Sequence, residues 1–299
     1  MYTRLRMLTE APGFENPVLV YGFTGFLEAG AAVRLASEHI LASVEHQVIA
    51  EFDIDALYDY RARRPRLHFS SDHYSEADLP TLQISACRDE RGAGFYVMHG
   101  VEPDFAWRSI VDDIETFIRE HGISKTVGMM AVPFPAPHTR PIAVTAHANR
   151  PELLIGRRSW VGEMEVPGSL SGVLEFTLGQ RDVPAMGFAA HVPHYLANLV
   201  HPAGALALVN EVALATGLLI PTDALRVAAE QSDAELNEQL LQNTDNLEGV
   251  HQLEAQYDAL VAERAEETAD SPIGADSDNL AAQVEQFLAQ MDSRGKADE

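Results

Sequence analysis

One short segment of the chain combines several prolines with side chains that bind anions. Residues 131–141 read Ala-Val-Pro-Phe-Pro-Ala-Pro-His-Thr-Arg-Pro. Each proline ring fixes φ and removes a backbone donor, so this segment is predicted to be a stiff loop that continues neither a helix nor a central strand. Its Arg140 has a planar fork suited to phosphate or carboxylate, and His138 is a proton donor near neutral pH. Two interpretations stay open: a ligand-binding loop, or a surface turn in which Arg140 pairs with Glu102 or Asp104.

Other polar residues follow the remaining predicted strands. In an open α/β sheet, ligands bind in the crevice at the carboxyl ends of the strands. The sequence therefore predicts one concave surface lined by residues from several strand ends. The candidate ligand-binding residues are Thr24, Gly25, Asp53, His138, Thr139, Arg140 and His194. No catalytic residue is predicted.

The glycine motifs do not match known phosphate or nucleophile loops. The spacing of glycines in residues 22–30 fits neither the dinucleotide fingerprint nor a P-loop. Residues 168–172 resemble a nucleophile elbow, but Leu170 stands where that motif has serine. Ser169 is instead predicted to cap a helix.

No metal site or cofactor is predicted. Residues 191–194 hold two histidines three apart, but Pro193 disfavours a helix that would aim both at one metal. Cys87 is the single cysteine, which excludes an internal disulfide and a multi-cysteine zinc site. It lies in an alternating strand-like segment, where a buried structural thiol is expected.

The charge of the chain restricts its partners. The formal net charge is −24, and residues 222–299 contribute −15 of it through 19 acidic and 4 basic residues. Such a chain repels phosphate backbones and anionic membrane surfaces. A small molecule or another protein is the expected partner, with no nucleic acid and no membrane. No apolar run approaches the ~20 residues that span a bilayer, and the N-terminus lacks an apolar signal core, so the protein is expected to be cytoplasmic.

Strand and helix patterns alternate through residues 1–221, which predicts one α/β core domain. The expected architecture is a three-layer sandwich with a mostly parallel or mixed sheet between helices. A helix ending near Val44, an amphipathic helix capped by Asp104 and a helix ending before Gly217 are predicted. The predicted strands are residues 18–23, 47–52, 82–87, 94–98, 125–131, 142–147 and 184–190.

The pattern changes after Pro221. Residues 222–299 are predicted to form an acidic helical extension: a helix pair over about 222–267, a linker over 268–277 and a terminal amphipathic helix over 278–292. This extension is either a cap on the core or a docking arm. Its acidic residues and the arginine-rich loop at residues 58–65 together predict self-association of the protein through opposite charges. That loop is part of a longer loop at residues 53–65, which is rich in aspartate, tyrosine and arginine. An intersubunit ion network is favoured for that loop over a ligand-facing role.

Several segments together resemble the PAC2 (proteasome assembly chaperone 2) family, in an actinobacterial-type form. They are residues 23–30, 59–65, 100–107, 166–169 and 191–195 with the proline-rich segment, and the resemblance covers about residues 15–220. It implies a core similar to purine nucleoside phosphorylases and related hydrolases. It also implies a homo-oligomer, with a trimer as first expectation and a dimer as second.

The resemblance leaves two functions open. The first is a chaperone-like, protein-binding function without catalysis, with proteasome α-type subunits as clients. Eukaryotic and archaeal members use a C-terminal hydrophobic-tyrosine-any tail, whereas residues 295–299 read Gly-Lys-Ala-Asp-Glu, so docking through this terminus is not expected. The second is a phosphorylase- or hydrolase-like enzyme for a small anionic, nucleoside-like substrate, using Thr24, His138, Thr139, Arg140 and His194.

Overall fold

An eight-stranded mixed sheet forms the centre of the protein. The computed structural model describes residues 2–155, 165–241 and 244–269. Its strands are β1 (Leu5–Met7), β2 (Val18–Thr24), β3 (Glu45–Phe52), β4 (Arg66–Ser70), β5 (His73–Asp78), β6 (Leu82–Arg88), β7 (Gly94–Val101), β8 (Lys125–Phe134), β9 (Val144–Ala148) and β10 (Ala185–Pro193). The main sheet has the order β1-β3-β6-β7-β2-β8-β10-β9, and β4 pairs with β5 alone.

The four central strands run parallel. β2 pairs in parallel with β7 and β8, and β8 pairs in parallel with β10. The outer strands pair antiparallel, and β3 points the same way as β7 because β6 is antiparallel to both. The carboxyl ends of β2, β3, β7, β8 and β10 therefore lie along one edge of the sheet, here called the carboxyl edge. This confirms the predicted α/β fold with a largely parallel sheet.

The faces of the sheet are covered by the helices α1 (Ala32–Ser43), α2 (Trp107–Glu120), α3 (Leu170–Gln180) and α4 (Pro202–Thr216). The helices α5 (Asp223–Leu241) and α6 (Thr244–Ala269) follow along the chain. Side chains alternate between faces along a strand, so Val18 and Val20 pack with α1 and α4, whereas Leu19 and Tyr21 pack with α2 and α3. Two apolar cores result, one on each face, and they fix the positions of the strand ends.

The proline-rich segment is not entirely a loop. Ala131–Phe134, including Pro133, continues β8 and pairs with β10 at the register Val192↔Pro133. The prediction that these residues cannot extend a central strand is therefore wrong. The pairing of β8 with β2 ends at Met129, so the missing N–H of Pro133 removes no bond to β2. The loop proper begins after Phe134.

The start of α2 differs from the predicted cap. Ala106, with φ at 59°, stands at the N-cap and makes no side-chain cap bond. Asp104 instead accepts hydrogen bonds from the backbone N–H of Asp59 and from Arg63, each at 2.7 Å. Ser169 does cap α3 as predicted, accepting from Gly172 N at 3.1 Å.

A hairpin that the sequence patterns do not predict projects between β3 and β6. Its strands, β4 and β5, have no buried residue, and they contact each other rather than the main sheet. Phe69 and Tyr74 form an edge-to-face pair with ring centroids 5.1 Å apart, yet both remain more than half exposed. Because β3 ends and β6 begins at the carboxyl edge, the hairpin rises from that edge.

The chain divides into two compact units, one within Met1–Asn243 and the other beginning at Thr244. Sequence analysis places the end of the core at residue 221, and in the structure α5 shares the first unit with the sheet and packs on α4. α6 belongs to the second unit. The predicted terminal helix over 278–292, and the predicted linker beyond residue 269, lie outside the described residues. None of the described helices is both long and apolar enough to cross a bilayer.

Candidate functional site

A cavity of about 740 Å³ lies among the proline-rich loop, α4 and α5. Its walls are apolar in part, through Ile142, Val144 and Leu206. Its polar lining comes from three elements that are distant in sequence: His138, Thr139, Arg140, Asn210, Glu211, Arg226, Glu230, Asp233 and Asn237. An apolar cavity with converging polar groups is the usual form of a small-molecule site.

His138 is held in the wall of this cavity by one tyrosine. The backbone N–H of His138 donates to the Tyr195 hydroxyl at 2.8 Å, and its ring Nδ1 lies 2.7 Å from the same oxygen. Tyr195 belongs to a short 3₁₀ helix, His194–Leu196, that directly follows β10. The loop after β8 is thus fixed to the end of the neighbouring strand, and His138 is only 5% exposed.

A second buried histidine lies near His138. His201 is 1% exposed, and its Nδ1 is 4.0 Å from Asp233 Oδ1, too far for a hydrogen bond. Burial, reinforced by the charge of the nearby His138, lowers the pKa of His201 to about 4. Burial raises the pKa of the Asp233 carboxyl, while the charge of His138 opposes that rise. Perturbed groups of this kind often mark functional sites.

The structure brings only part of the predicted site together. His138, Thr139 and Arg140 line the cavity described above. Thr24 lines a separate cavity of about 760 Å³ with Arg64 and other residues, and Asp53 lines a third. The remaining two predicted residues, Gly25 and His194, lie near other groups of the same sheet edge.

Gly25 lies against Glu102, and His194 lies beside Tyr195. A Cβ on Gly25 would come within 3.0 Å of Glu102 Cβ. The exposed His194 ring meets the Tyr195 ring edge-on, with centroids 5.5 Å apart. Contact with Tyr195 therefore connects His194 to His138, although His194 itself is not in the cavity lining.

Glu102 and Asp104, the carboxylates proposed as partners of Arg140, form hydrogen bonds with other groups. Glu102 accepts hydrogen bonds from Leu170 N at 2.8 Å and from Phe26 N at 3.4 Å. Asp104 is paired with Arg63. Glu102 thus connects the loops after β2 and β7 to the first turn of α3.

Two residues of this region escaped the sequence analysis. His201 and Asp233 lie about 60 and 95 residues beyond the proline-rich loop, on segments whose patterns predict only helices. A histidine before the Pro202 that begins α4 was the one signal available, since prolines favour the first helical turn. That signal locates the helix start but says nothing of a site.

The structure gives no support to metal binding or thiol chemistry in the described part of the chain. Within it, no group of three or more histidine, cysteine, aspartate or glutamate side chains has an arrangement suited to a metal ion. Cys87 is buried as predicted, and burial raises the pKa of its thiol to about 12. A thiol with so high a pKa is a poor nucleophile at neutral pH.

Comparison with known families decides the affiliation of the chain. The model of the PAC2 family matches residues 22–240, about three-quarters of the sequence. The chain belongs to the PAC2 family. The matched region includes every residue that lines the cavity of His138, so the cavity is formed entirely by the PAC2 region.

Solved structures resemble this PAC2 protein over most of its length. Rv2714 of Mycobacterium tuberculosis, a protein of unknown function, is 37% identical with a TM-score of 0.86, covering 89% of this chain and 92% of its own. A protein of unknown function from Corynebacterium glutamicum is 32% identical with a TM-score of 0.82, covering 86% and 98%. Rv2125, described as a proteasome-assembly chaperone homologue of Mycobacterium tuberculosis, is 29% identical with a TM-score of 0.71, covering 78% and 99%. A comparison with curated protein sequences gave no match.

The arginine-rich loop of the PAC2 protein forms ion pairs within its own chain. Arg63 donates to the Glu102 carbonyl at 2.6 Å and to Asp104, and its guanidinium lies 4.4 Å from the centre of the Tyr58 ring. Tyr60 donates to Asp55 at 2.9 Å. Arg63 and Asp55 therefore have partners in the loop or beside it, and the expected intersubunit ion network of this loop stays a prediction.

Large apolar side chains are exposed at the carboxyl edge of the PAC2 protein. Phe26 follows β2 and is 61% exposed, and Phe105 follows β7 and is 52% exposed. Leu199 and Val200 follow the 3₁₀ helix after β10 and are more than half exposed. Since β7, β2 and β10 end at the same edge, these side chains lie along it together. Exposed apolar patches of this kind mark interaction surfaces.

The buried His201 predicts a loss of stability in acid. Its pKa is about 4 in the folded protein and about 6.5 in an unfolded chain. Between those values the unfolded state binds more protons, so the free energy of unfolding falls as the pH drops through this window. At pH about 5 the loss is about 2 kcal/mol relative to neutral pH.

Urea unfolding at neutral pH and at pH about 5 measures this effect. His201→Leu removes the titrating group. Between neutral pH and pH about 5, the free energy of unfolding of this variant should therefore fall by about 2 kcal/mol less than that of the natural protein. The raised pKa of Asp233 has the opposite effect on the free energy of unfolding in both proteins. The folded state binds this proton more tightly than the unfolded state, so Asp233 alone would raise the free energy of unfolding as the pH falls. Equal losses in the two proteins would show that His201 does not carry the pH dependence.

Proposed function

We propose that this PAC2 protein is a protein-binding, chaperone-type protein whose clients are proteasome α-type subunits. The observation that carries the proposal is the row of exposed apolar side chains along the carboxyl edge, above all Phe26 and Phe105. A chaperone must bind apolar surfaces that its client later buries, and such patches supply that binding energy. The resemblance to Rv2125, a proteasome-assembly chaperone homologue, supports the choice of client.

The enzymatic alternative loses its geometric support. It required Thr24 to act with His138 and Arg140 on one substrate, yet Thr24 lines a different cavity. Glu211, Glu230 and Asp233 also make the cavity of His138 unfavourable for an anionic substrate. The likeness of the core to purine nucleoside phosphorylases stays a prediction.

Co-purification with 20S α-type subunits tests the proposed function. The tagged PAC2 protein is co-expressed with α-type subunits of its own organism, and the captured amount is measured together with the dissociation constant. Phe26→Ser with Phe105→Ser removes apolar area from the carboxyl edge without changing charge. We expect this double variant to bind α-type subunits at least about tenfold more weakly, a change of about 1.4 kcal/mol.

Leu214→Ser is the matched control. Leu214 is 75% exposed near the end of α4, where the Ala215 carbonyl accepts from Lys125 Nζ at the first residue of β8. Leu214 therefore lies at the opposite edge of the sheet, and its variant should bind like the natural protein. Failure of the natural protein to capture α-type subunits at micromolar concentration would refute the proposal. Unchanged binding by the double variant would refute the assignment of the surface.

We further propose that the protein self-associates, with a trimer as the first expectation and a dimer as the second. Exposed aromatic residues on the hairpin of β4 and β5 support this proposal. Arg64 and Arg66 stand at its base, in a chain whose net charge is −24. Asp78 stands opposite Arg66 in the hairpin register, and the two guanidiniums together complement acidic groups of a second copy.

A further inference from the structure

Several buried polar atoms near the cavity of His138 have no hydrogen-bond partner. Within the described residues, these are His138 Nε2, both ring nitrogens of His201, and Asp233 Oδ1. Folded proteins leave few such atoms unpaired, because each costs about 1–3 kcal/mol. Four unpaired atoms on three neighbouring side chains therefore call for a bound group that pairs with them.

These atoms lie at one polar end of an otherwise mixed cavity. His138 and Asp233 line the cavity directly, and His201 lies beside them with its Nδ1 4.0 Å from Asp233 Oδ1. The apolar side chains of Leu206, Ala207 and Ala229 also line the cavity, within the part that α4 and α5 form. A ligand that fits would place a polar head at the histidines and an apolar body along the helices.

The polar end offers mainly hydrogen-bond acceptors. His201 is neutral at physiological pH because burial lowers its pKa, so one of its ring nitrogens carries a free lone pair. Asp233 supplies a carboxylate whose Oδ1 is buried and has no hydrogen-bond partner within the described residues, and burial raises the pKa of this group. Acceptors around such a carboxylate suit a cationic donor.

The remaining charges facing the cavity also favour a cation. Its lining contains three carboxylates, Glu211, Glu230 and Asp233, against two guanidiniums. One guanidinium, Arg226, is already paired with Asp223 at 2.5 Å and lies 3.8 Å from Glu230. The other, Arg140, is hydrogen-bonded to the backbone and hydroxyl of Thr139.

We propose that this cavity binds a small ligand that carries a primary ammonium group on an apolar body. The ammonium donates hydrogen bonds, which match the unpaired carboxylate oxygen of Asp233 and the lone pair of the His201 ring. Its charge offsets the desolvated carboxylate, and the apolar body is buried against Leu206 and Ala229. This binding is independent of the proposed client, so either proposal can fail alone.

Three alkyl probes of equal length test the proposal: n-hexylammonium, n-hexanoate and n-hexanol. Binding is measured on the full chain by titration calorimetry at neutral pH, and the melting temperature is followed in parallel. We expect hexylammonium to bind and to raise the melting temperature. Hexanol should bind at least about tenfold more weakly, and hexanoate should not bind.

Asp233→Asn is the decisive variant, because it keeps the size of the side chain and removes its charge. It should weaken hexylammonium binding at least about tenfold. The control Glu235→Gln removes one negative charge from the exposed face of the same helix, at a residue outside the cavity lining. It should leave the affinity unchanged, and both variants should keep the circular dichroism spectrum of the natural protein.

Each other outcome overturns the proposal. Preferred binding of hexanoate would assign the cavity to an anion held by Arg140. Binding by none of the probes would show that water alone fills the polar end. Equal effects of the two variants on the affinity for hexylammonium would show that this affinity depends on the net charge of the protein rather than on Asp233.

Discussion

Replacing Gly100 with alanine is expected to destabilise the protein by more than about 3 kcal/mol or to prevent its folding. Gly100 lies in β7 with φ at 136°, a conformation that L residues rarely adopt. A Cβ built on it would lie 1.9 Å from the Thr81 carbonyl oxygen. Because that atom belongs to the backbone, relief of the clash requires β6 and β7 to separate at Leu82↔Gly100. Urea unfolding followed by circular dichroism measures the loss.

Two other glycines separate the clash from the conformational strain. Gly92 has φ at 80° but no atom within 4 Å of a built Cβ, so Gly92→Ala should cost about 1–2 kcal/mol through strain alone. Gly168 has neither feature, and Gly168→Ala should change stability by less than about 0.5 kcal/mol. A Gly100→Ala variant no less stable than Gly92→Ala would contradict the close approach of Thr81.

Removal of the aromatic pair on the hairpin is expected to abolish the proposed self-association of the protein. Phe69 and Tyr74 are 57% and 68% exposed, and burying them between copies would supply about 1.5–3 kcal/mol each. By light scattering at micromolar concentration, we expect the natural protein to form the proposed trimer or dimer and Phe69→Ser with Tyr74→Ser to be monomeric. The core should stay folded, because the hairpin pairs only with itself.

Phe176→Ser provides the comparison for this variant. Phe176 is 67% exposed on α3, away from the hairpin strands, and its loss should leave the oligomer intact. High salt should weaken association of the natural protein if Arg64 and Arg66 contact acidic groups of a second copy. A natural protein that is monomeric at micromolar concentration would refute self-association altogether.

The parts of the fold that sequence patterns predicted are those with strong periodicity. The continuous apolar run in β8 indicated a strand buried on both faces, and the spacing of Ile110, Ile114 and Phe117 indicated α2. The hairpin gave only a weak signal: Leu67 and Phe69 alternate with polar residues in β4, but every residue of His73–Asp78 is exposed and β5 has no apolar face. Pro133 was misjudged because the sequence does not show on which side of a strand hydrogen bonds are needed.

The candidate site was predictable only where one segment contained its chemistry. His138, Thr139 and Arg140 are neighbours in sequence, so their side chains marked the loop after β8. Asp233 and His201 come from helical segments whose patterns describe packing alone. The topology of α4 and α5 brings them to His138, and that arrangement depends on long-range contacts that one sequence does not reveal. The same limit applied to Thr24, since strand ends at one sheet edge need not share a cavity.

Glu102 has a consequence for the chemistry that this edge of the sheet can support. Its carboxylate accepts the N–H of Leu170 at the first turn of α3, while Gly25 lies close enough that a Cβ would come within 3.1 Å of Oε2. The first turn of a helix beside a glycine-containing strand end is where α/β proteins commonly hold the phosphate of a nucleotide. Here the side chain of Glu102 already occupies that point. Phosphate chemistry at this turn would first require expulsion of the chain's own carboxylate.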